Sequence, residues 1–227
     1  MTREELAAMI DHTFLKAAGE PDAVRRLCRE AKKWRFACAM VNPCEVKLAA
    51  KLLNGSGIRV GTVVGFPLGA NTSKVKVVEA LEAVKDGALD IDLVVNIRRL
   101  KAAVSDEAER SALGADLETF NRTVKEADIG AVTKLILECC HLTDKEKVLG
   151  CRLAKRAGFD FVKTSTGFGP GGATVEDVRL MRKTVGPKMG VKAAGGIRTL
   201  TDALAMVDAG ATRLGCSAGV EILKEFK

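Results

Sequence analysis

Lys163 stands inside a run that otherwise reads as a buried strand, Phe161-Val162-Lys163-Thr164-Ser165-Thr166, and the run ends in the glycine-rich turn Gly167-Phe168-Gly169-Pro170-Gly171-Gly172. Withdrawing an unpaired ammonium from water is unfavourable, and the usual response is loss of its proton. A neutral lysine amine is a nucleophile that can form a Schiff base with a carbonyl. Three more charged residues interrupt apolar runs in the same way: Asp92 in Ile91-Asp92-Leu93-Val94-Val95-Asn96, Lys134 within 132–137, and Lys192 in Val191-Lys192-Ala193-Ala194. A single case is accounted for by a snorkelling or salt-bridged strand end. Four on consecutive strand-like segments reverse that preference, because three ammoniums and a carboxylate are not buried together without a use.

An ordinary lysine has a pKa of about 10.4, which leaves roughly a few amines in ten thousand neutral at pH 7. A cation at Lys192, together with partial burial, lowers the value for Lys163; a thousandfold gain in neutral amine corresponds to roughly 4 kcal/mol. The pattern alone does not decide which lysine is the nucleophile. Asp92 supplies a short-range proton carrier, Asp11 in Ile10-Asp11-His12-Thr13 is a further relay candidate, and Lys134 offers electrostatic support. In Asp90-Ile91-Asp92-Leu93-Val94-Val95-Asn96, alternation groups Asp92, Val94 and Asn96 on one face and Ile91, Leu93 and Val95 on the other.

Two glycine clusters complete the chemistry, Gly195-Gly196 and Gly215-Cys216-Ser217-Ala218-Gly219. Their freed backbone N–H groups, the Ser217 hydroxyl and the start of a final helix could hold a phosphate dianion, with the 167–172 turn adding donors. That turn mimics a dinucleotide-binding G-x-G-x-x-G, but Pro170 stiffens it and the fingerprint belongs on a first strand. It also mimics a P-loop, except that Ala173 stands where the essential lysine belongs.

These residues need a scaffold that sets them around one point. Short apolar runs recur at 10–15, 36–41, 60–66, 91–97, 132–137, 161–166, 191–194 and 213–216, each bounded by Gly, Pro, Asn or Asp. Helical three-and-four spacing fills 22–33, 44–53, 72–86, 105–127, 144–157, 175–185 and 199–209, and 221–226 closes the chain. Thr143-Asp144-Lys145-Glu146 reads as a capping box, and Gly87, Gly158, Gly186 and Gly210 fall where helix C-caps are expected. Eight strand–helix units favour a closed (β/α)8 TIM barrel, a single α/β domain over 1–227, with an open doubly wound sheet as the alternative. In such a barrel the site lies at the C-terminal ends of the strands.

Composition limits the other readings. The chain has 227 residues, 47% hydrophobic and 29% charged, enough for a large core under a polar surface, and no apolar run approaches the ~20 residues of a membrane span. The acidic N-terminal segment Met1-Thr2-Arg3-Glu4-Glu5-Leu6 lacks the pattern of a secretory signal, and seven cysteines without a C-x-x-C pair read as reduced thiols, so a cytoplasmic location is expected. His12 and His141 are the only histidines, too few for a His-rich metal site or a His-based triad. The net charge of +7 is spread over helix-like segments interleaved with acids, and with no Tyr and one Trp there is no aromatic–basic ribbon for nucleic acid.

Taken together, Ile10-Asp11-His12-Thr13, Val41-Asn42-Pro43, Gly65-Phe66-Pro67-Leu68-Gly69, Ile91-Asp92-Leu93-Val94-Val95-Asn96, Lys163-Thr164-Ser165-Thr166-Gly167-Phe168, Val191-Lys192-Ala193-Ala194-Gly195-Gly196-Ile197-Arg198 and the Gly215 to Gly219 turn give a chain that resembles the deoxyribose-phosphate aldolase family over almost its whole length. The resemblance implies a (β/α)8 fold and reversible cleavage of 2-deoxy-D-ribose 5-phosphate into acetaldehyde and D-glyceraldehyde 3-phosphate in deoxyribose phosphate catabolism, with no metal and no cofactor. It implies Lys163 as the Schiff-base lysine, Lys192 as its pKa-lowering and proton-handling neighbour, and Asp92 as proton donor and acceptor. It places the phosphate near Gly167, Gly195, Gly196 and Ser217, with Thr164 among the substrate-binding residues, and implies a homo-oligomer with a small phosphorylated sugar as its partner. Two departures bear on substrate fit and phosphate detail: Met40, where relatives often carry cysteine, and Cys216 between Gly215 and Ser217. The competing readings are another metal-independent lysine aldolase acting on a different phosphorylated sugar, and a non-catalytic anion-binding barrel.

Overall fold

The alternation closes on itself. A computed structural model describes residues 1–226, in which β1 (Ile10–Thr13), β2 (Cys38–Val41), β3 (Arg59–Val64), β4 (Asp90–Val94), β5 (Val132–Ile136), β6 (Phe161–Lys163), β7 (Gly190–Ala194) and β8 (Arg213–Cys216) pair in parallel and in chain order. The pairing of β1 with β8, which sets Asp11 opposite Gly215, makes this a closed barrel and not an open sheet. Around it run α1 (Arg3–Ala7), α2 (Ala23–Trp34), α3 (Val46–Leu53), α4 (Ser73–Lys85), α5 (Ile97–Ala102), α6 (Glu107–Ala127), α7 (Asp144–Arg156), α8 (Val175–Val185), α9 (Leu200–Asp208) and α10 (Gly219–Lys224). The capping box at Thr143 is present, with Thr143 Oγ1 accepting from the Glu146 amide and the Glu146 carboxylate accepting from the Thr143 amide.

Several boundaries differ from the sequence reading, each for a local reason. The 91–97 run ends as a strand at Val94, because Asn96 turns the chain into α5 by accepting the Arg99 N–H on its side-chain oxygen at 3.2 Å. Asn96 is therefore an N-cap and not an inward-facing strand residue. The 44–53 helix begins only at Val46, after a 3-10 turn over Pro43–Glu45. The 161–166 strand stops at Lys163, and the residues after it take partners from neighbouring strand ends. Helix α1, too short to show periodicity, is held by a capping box between Thr2 and Glu5.

Strand alternation divides the buried side chains into two unequal sets. Ile10, Ala39, Val41, Val64, Ile91, Leu93, Leu135, Val162, Val191 and Leu214 point outward and join Leu27, Leu117, Phe120 and Met181 from the helices in one continuous apolar layer. Inside the barrel the apolar cluster is small, formed by Leu15, Cys38, Met40 and Val63 with Phe66 packed against it. Cys216 belongs to the outer layer, whereas Met40 lies inside the barrel. Elsewhere in the interior the buried charges Asp92, Lys134, Lys163 and Lys192 share the inward face with Val94, Ile136, Ala194 and the Phe161 ring.

Large inward side chains are accommodated by small neighbours. A Cβ on Gly190 would lie 2.2 Å from the Phe161 ring, and one on Gly215 would lie 2.9 Å from Lys192 Cε. A Cβ on Gly114 in α6 would meet only Leu153 Cδ2, at 3.5 Å. Gly190→Ala is therefore expected to destabilise by about 1–3 kcal/mol through overpacking. Gly114→Ala should stabilise by about 0.5–1 kcal/mol through helix propensity. Urea unfolding of the two variants, with midpoints moving in opposite directions, checks both.

Candidate active site

The barrel register brings the four strand-borne charges together. Asp92 on β4 is the direct partner of Lys134 on β5, and Lys163 on β6 is the direct partner of Lys192 on β7. All four point inward, because each alternates with an outward apolar residue that the helices cover. Lys163 Nζ donates to Asp92 Oδ2 at 2.8 Å, and Lys192 Nζ donates to the same oxygen at 2.8 Å. Lys134 Nζ lies 3.0 Å from the other oxygen, Asp92 Oδ1. One carboxylate is thus shared by three ammoniums.

Asp11 lies one step further from Lys163. Its Oδ2 accepts from Lys192 Nζ at 2.5 Å, and its Oδ1 accepts from Arg213 Nη1 at 2.8 Å. Asp90 pairs with Lys134 and with Arg59, while Lys134 and Arg213 also stand over the Phe161 ring, 5.9 and 5.4 Å from its centroid. Asp90, Arg59 and Arg213 join the cluster without a distinct signal of their own in the sequence. Asp90 shares the period-two face of Asp92 and could have been found that way, but the two arginines sit at strand starts, where a charge is unremarkable. Asp11, Cys38 and Asp90 bring metal-ligand atoms within 4.8 Å of one another. The Lys134 ammonium pairs with Asp90 and lies 3.8 Å from Asp11, so the group is furnished for an ammonium.

The number of carboxylates within reach separates the three lysines. Burial disfavours the charge on each. Lys134 has Asp90, Asp92 and Asp11 to oppose it, and its pKa is raised. Lys192 has Asp11 and Asp92, and its pKa is also raised. Lys163 has Asp92 alone: burial pushes its amine down, Asp92 opposes this, Lys192 and Lys134 add to the lowering, and the result is about 8 against an ordinary 10.5. Burial, more than the neighbouring cation invoked from the sequence, is the largest cause. Exposure points the same way, since Lys163 is 4% exposed, Lys192 1% and Lys134 0%. For the carboxylates the balance is reversed. Burial alone would raise Asp11, but Lys192, Lys134 and Arg213 outweigh it and hold it at about 2; Asp92 is likewise held well below the ordinary range by Lys134, Lys163 and Lys192, against its burial.

The glycines proposed for a phosphate lie at the mouth. Gly167, Gly195 and Gly196 all take positive φ, 85°, 85° and 83°, which favours glycine. Gly167, Gly196 and Ser217 are exposed, and beside Gly196 there is open space. Thr164 is different: it is fully buried, and its hydroxyl donates to Ala194 O and accepts from Ala194 N, both at 3.1 Å. Its side chain clips β6 to β7. Two residues that give no sequence signal stabilise the surrounding loops. Lys76 donates to Gly69 O and Val94 O, each at 2.8 Å, tying the loop after β3 to the end of β4. Glu138, after β5, binds Thr166.

An amine poised to lose its proton, a carboxylate and second ammonium beside it, and a glycine-lined mouth can together form and resolve a Schiff base. Comparison with known proteins agrees with that chemistry. Residues 6–225 match the model of the DeoC/LacD family aldolase. The chain is 53% identical over 222 residues to a deoxyribose-phosphate aldolase of Caldanaerobacter subterraneus subsp. tengcongensis, covering 98% of this chain and 94% of the relative. It is 50% identical to one from Bacteroides thetaiotaomicron, covering 99% and 91%. Among solved structures, the tetrameric deoxyribose phosphate aldolase of Aeropyrum pernix superposes with a TM-score of 0.89 at 35% identity, covering 99% of this chain and 92% of that one. The chain belongs to the DeoC/LacD family of aldolases.

Proposed function

We propose that the chain reversibly cleaves 2-deoxy-D-ribose 5-phosphate to D-glyceraldehyde 3-phosphate and acetaldehyde, with Lys163 as the Schiff-base nucleophile. The observation that carries the assignment is the difference among the three lysines around Asp92: Lys163 alone of these has a depressed pKa, and it is the one nearest solvent; Lys76, also buried and lowered to about 8, stands apart from Asp92 with its ammonium bound by the Gly69 and Val94 carbonyls. At pH 7 a pKa of about 8 leaves about a tenth of the amine neutral, against roughly a few in ten thousand for an ordinary lysine.

Neutral Lys163 adds to the C1 aldehyde of the open-chain sugar, and the carbinolamine loses water to leave an iminium. Lys192, kept charged by Asp11 and Asp92, supplies the proton that departs with that water, passed through Asp92. Asp92 is a weak base while three ammoniums surround it; it gains basicity when the Lys163 proton has left. Asp92 then accepts the C3 hydroxyl proton as the C2–C3 bond breaks, the electrons of that bond flow into the iminium to give an enamine, glyceraldehyde 3-phosphate departs, and the proton on Asp92 is available for C2. Protonation of the enamine at C2 and addition of water release acetaldehyde and restore the amine. Asp11 acts as the counter-ion that fixes Lys192, and Lys134 as electrostatic support for Asp92. The phosphate rests at Gly167, Gly195, Gly196 and Ser217. Thr164, in this reading, holds the strand ends together and does not touch the sugar.

The relative of known assembly from Aeropyrum pernix is tetrameric, which supports a homo-oligomer here as well. A cytoplasmic location is supported by seven free cysteines. Among the described residues no helix is long and apolar enough to cross a membrane.

Incubation with 2-deoxyribose 5-phosphate and reduction with borohydride should leave a covalent adduct on Lys163, which peptide mass mapping locates; an adduct on another lysine, or none, contradicts the mechanism. Trapping with acetaldehyde should be half-maximal near pH 8, and Lys192→Met, by removing a nearby cation, should move that midpoint to higher pH. An unmoved midpoint would assign the depression to burial alone. Stability carries the same signature. The native amine titrates near 8 and the unfolded one near 10.5, so the native state binds fewer protons between these values. The unfavourable contribution of Lys163 is complete below pH 8 and is relieved as pH rises toward 10.5. Lys163→Met should therefore gain more stability relative to the parent at pH 7 than at pH 10, by about 2 kcal/mol, as read by denaturant unfolding at the two pH values.

A further inference from the structure

We propose that Glu138 is a positioning residue that, through Thr166, sets the shape of the 167–172 turn and of Gly195, and so tunes recognition of the phosphate end of the substrate. The inference rests on the phosphate site described under the proposed function. Glu138 lies outside the lysine cluster, two residues past the end of β5, and its backbone adopts φ 60° and ψ 63°. Left-handed backbone is uncommon for a residue with a side chain, and such strain persists where the surroundings hold it for a purpose. The side chain is 3% exposed. No lysine, arginine or histidine lies within ion-pair distance of it among the described residues.

Its carboxylate is satisfied almost wholly by one residue. The Thr166 amide donates to its two oxygens at 3.2 and 3.3 Å, and the Thr166 hydroxyl donates to Oε2. Thr166 Oγ1 in turn accepts from the Phe168 amide at 3.0 Å. The Cys140 thiol, 3.8 Å from Oε1, is a weaker fourth contact. A buried carboxylate held by N–H and O–H donors without a cation serves geometry, because such charge-assisted bonds are directional and short.

The turn that Thr166 anchors is pressed between two surfaces. On the near side, a Cβ on Gly169 would lie 3.3 Å from Glu138 Cδ, and one on Gly171 would lie 2.9 Å from Cys140 Cβ. On the far side, Ala173 N donates to Gly195 O at 3.0 Å, and a Cβ on Gly172 would lie 2.2 Å from that same oxygen. A Cβ on Gly195 would meet Gly172 Cα at 3.0 Å and Gly167 Cα at 3.5 Å. Displacing Thr166 therefore displaces the turn, which contains Gly167 and packs against Gly195, two of the glycines assigned to the phosphate. Lys163 is insulated from the change, because its own strand is fixed separately by its pairing with Lys192 and by the Thr164–Ala194 clip.

The test compares 2-deoxyribose 5-phosphate with unphosphorylated 2-deoxyribose. Glu138→Ala should raise KM for the phosphorylated sugar about tenfold, the worth of one charge-assisted hydrogen bond. For the unphosphorylated sugar kcat/KM should fall by no more than about threefold. Glu138→Gln, which keeps an acceptor for the Thr166 amide, should recover part of the loss. Thr166→Val, which removes the hydroxyl and leaves the backbone intact, should reproduce the phosphate-selective loss, and it carries the test if Glu138→Ala does not fold. The double variant should be no worse than Glu138→Ala alone, because both substitutions cut one link. Equal losses for the two sugars, an unchanged KM for the phosphorylated one, or additive losses in the double variant would overturn the proposal. Borohydride trapping of the parent protein separates this inference from the reading beneath it. If Lys163 is trapped and the phosphate-selective loss is absent, only the role of Glu138 fails; if Lys163 is never trapped, the functional reading fails and takes this inference with it.

Discussion

The Asp92 carboxylate, shared among the ammoniums of Lys134, Lys163 and Lys192, is the interaction on which the rest of the molecule depends. Any one of those cations would be untenable alone inside a barrel. Together they form part of a cluster in which Lys134, Lys163, Lys192, Arg59 and Arg213 face Asp11, Asp90 and Asp92, five cations against three carboxylates. Among the three lysines the positive surplus falls on the one with the fewest carboxylates, and that one is Lys163. Its proton is held less firmly than those of Lys134 and Lys192 because both of these are better compensated. In the proposed mechanism, reactivity is thus a consequence of unequal sharing among otherwise similar side chains.

Such a cluster can exist only because the fold is stabilised elsewhere. The strands direct their apolar alternate residues outward, where the helices cover them in one continuous layer, and the inner apolar cluster is reduced to a few side chains near β2 and β3. Burial of the outer layer supplies the main hydrophobic stabilisation, leaving the barrel interior free for charge. The inner glycines serve the same arrangement: Gly215 leaves room for the Lys192 stem and Gly190 for the Phe161 ring, over which two of the cations stand. The strand ends are then joined laterally by polar clips, Thr164 to Ala194, Lys76 to Gly69 and Val94, and Glu138 to Thr166.

Much of this was legible in the sequence, for a physical reason. A period of two across an apolar strand exposes any charge that breaks it, so Asp92, Lys134, Lys163 and Lys192 stood out and the barrel placed them side by side. Which lysine reacts was not legible bottom-up, because it depends on how many carboxylates each can reach across strands, and those carboxylates lie far apart in the chain. The lateral clips were hidden for the same reason. Thr164 reads as a candidate ligand beside Lys163, yet its partner Ala194 is 30 residues away, and Glu138 reads as a loop residue until Thr166 is seen against it. Asn96 shows a different failure, since alternation assigned it to the inner face of β4 while its side chain found a nearer partner in the Arg99 amide and ended the strand.

The central claim is that the folded protein itself, before any substrate arrives, makes Lys163 the acidic ammonium of the cluster. It is tested most directly by an NMR pH titration of the free protein carrying carbon-13 at the lysine ε positions, with the Lys163 resonance assigned by its loss in a Lys163→Met variant. The account predicts a Lys163 midpoint near 8, with the Lys134 and Lys192 signals still those of charged amines at that pH. A Lys163 midpoint at or above 10.5, or Lys192 losing its proton first, would contradict it.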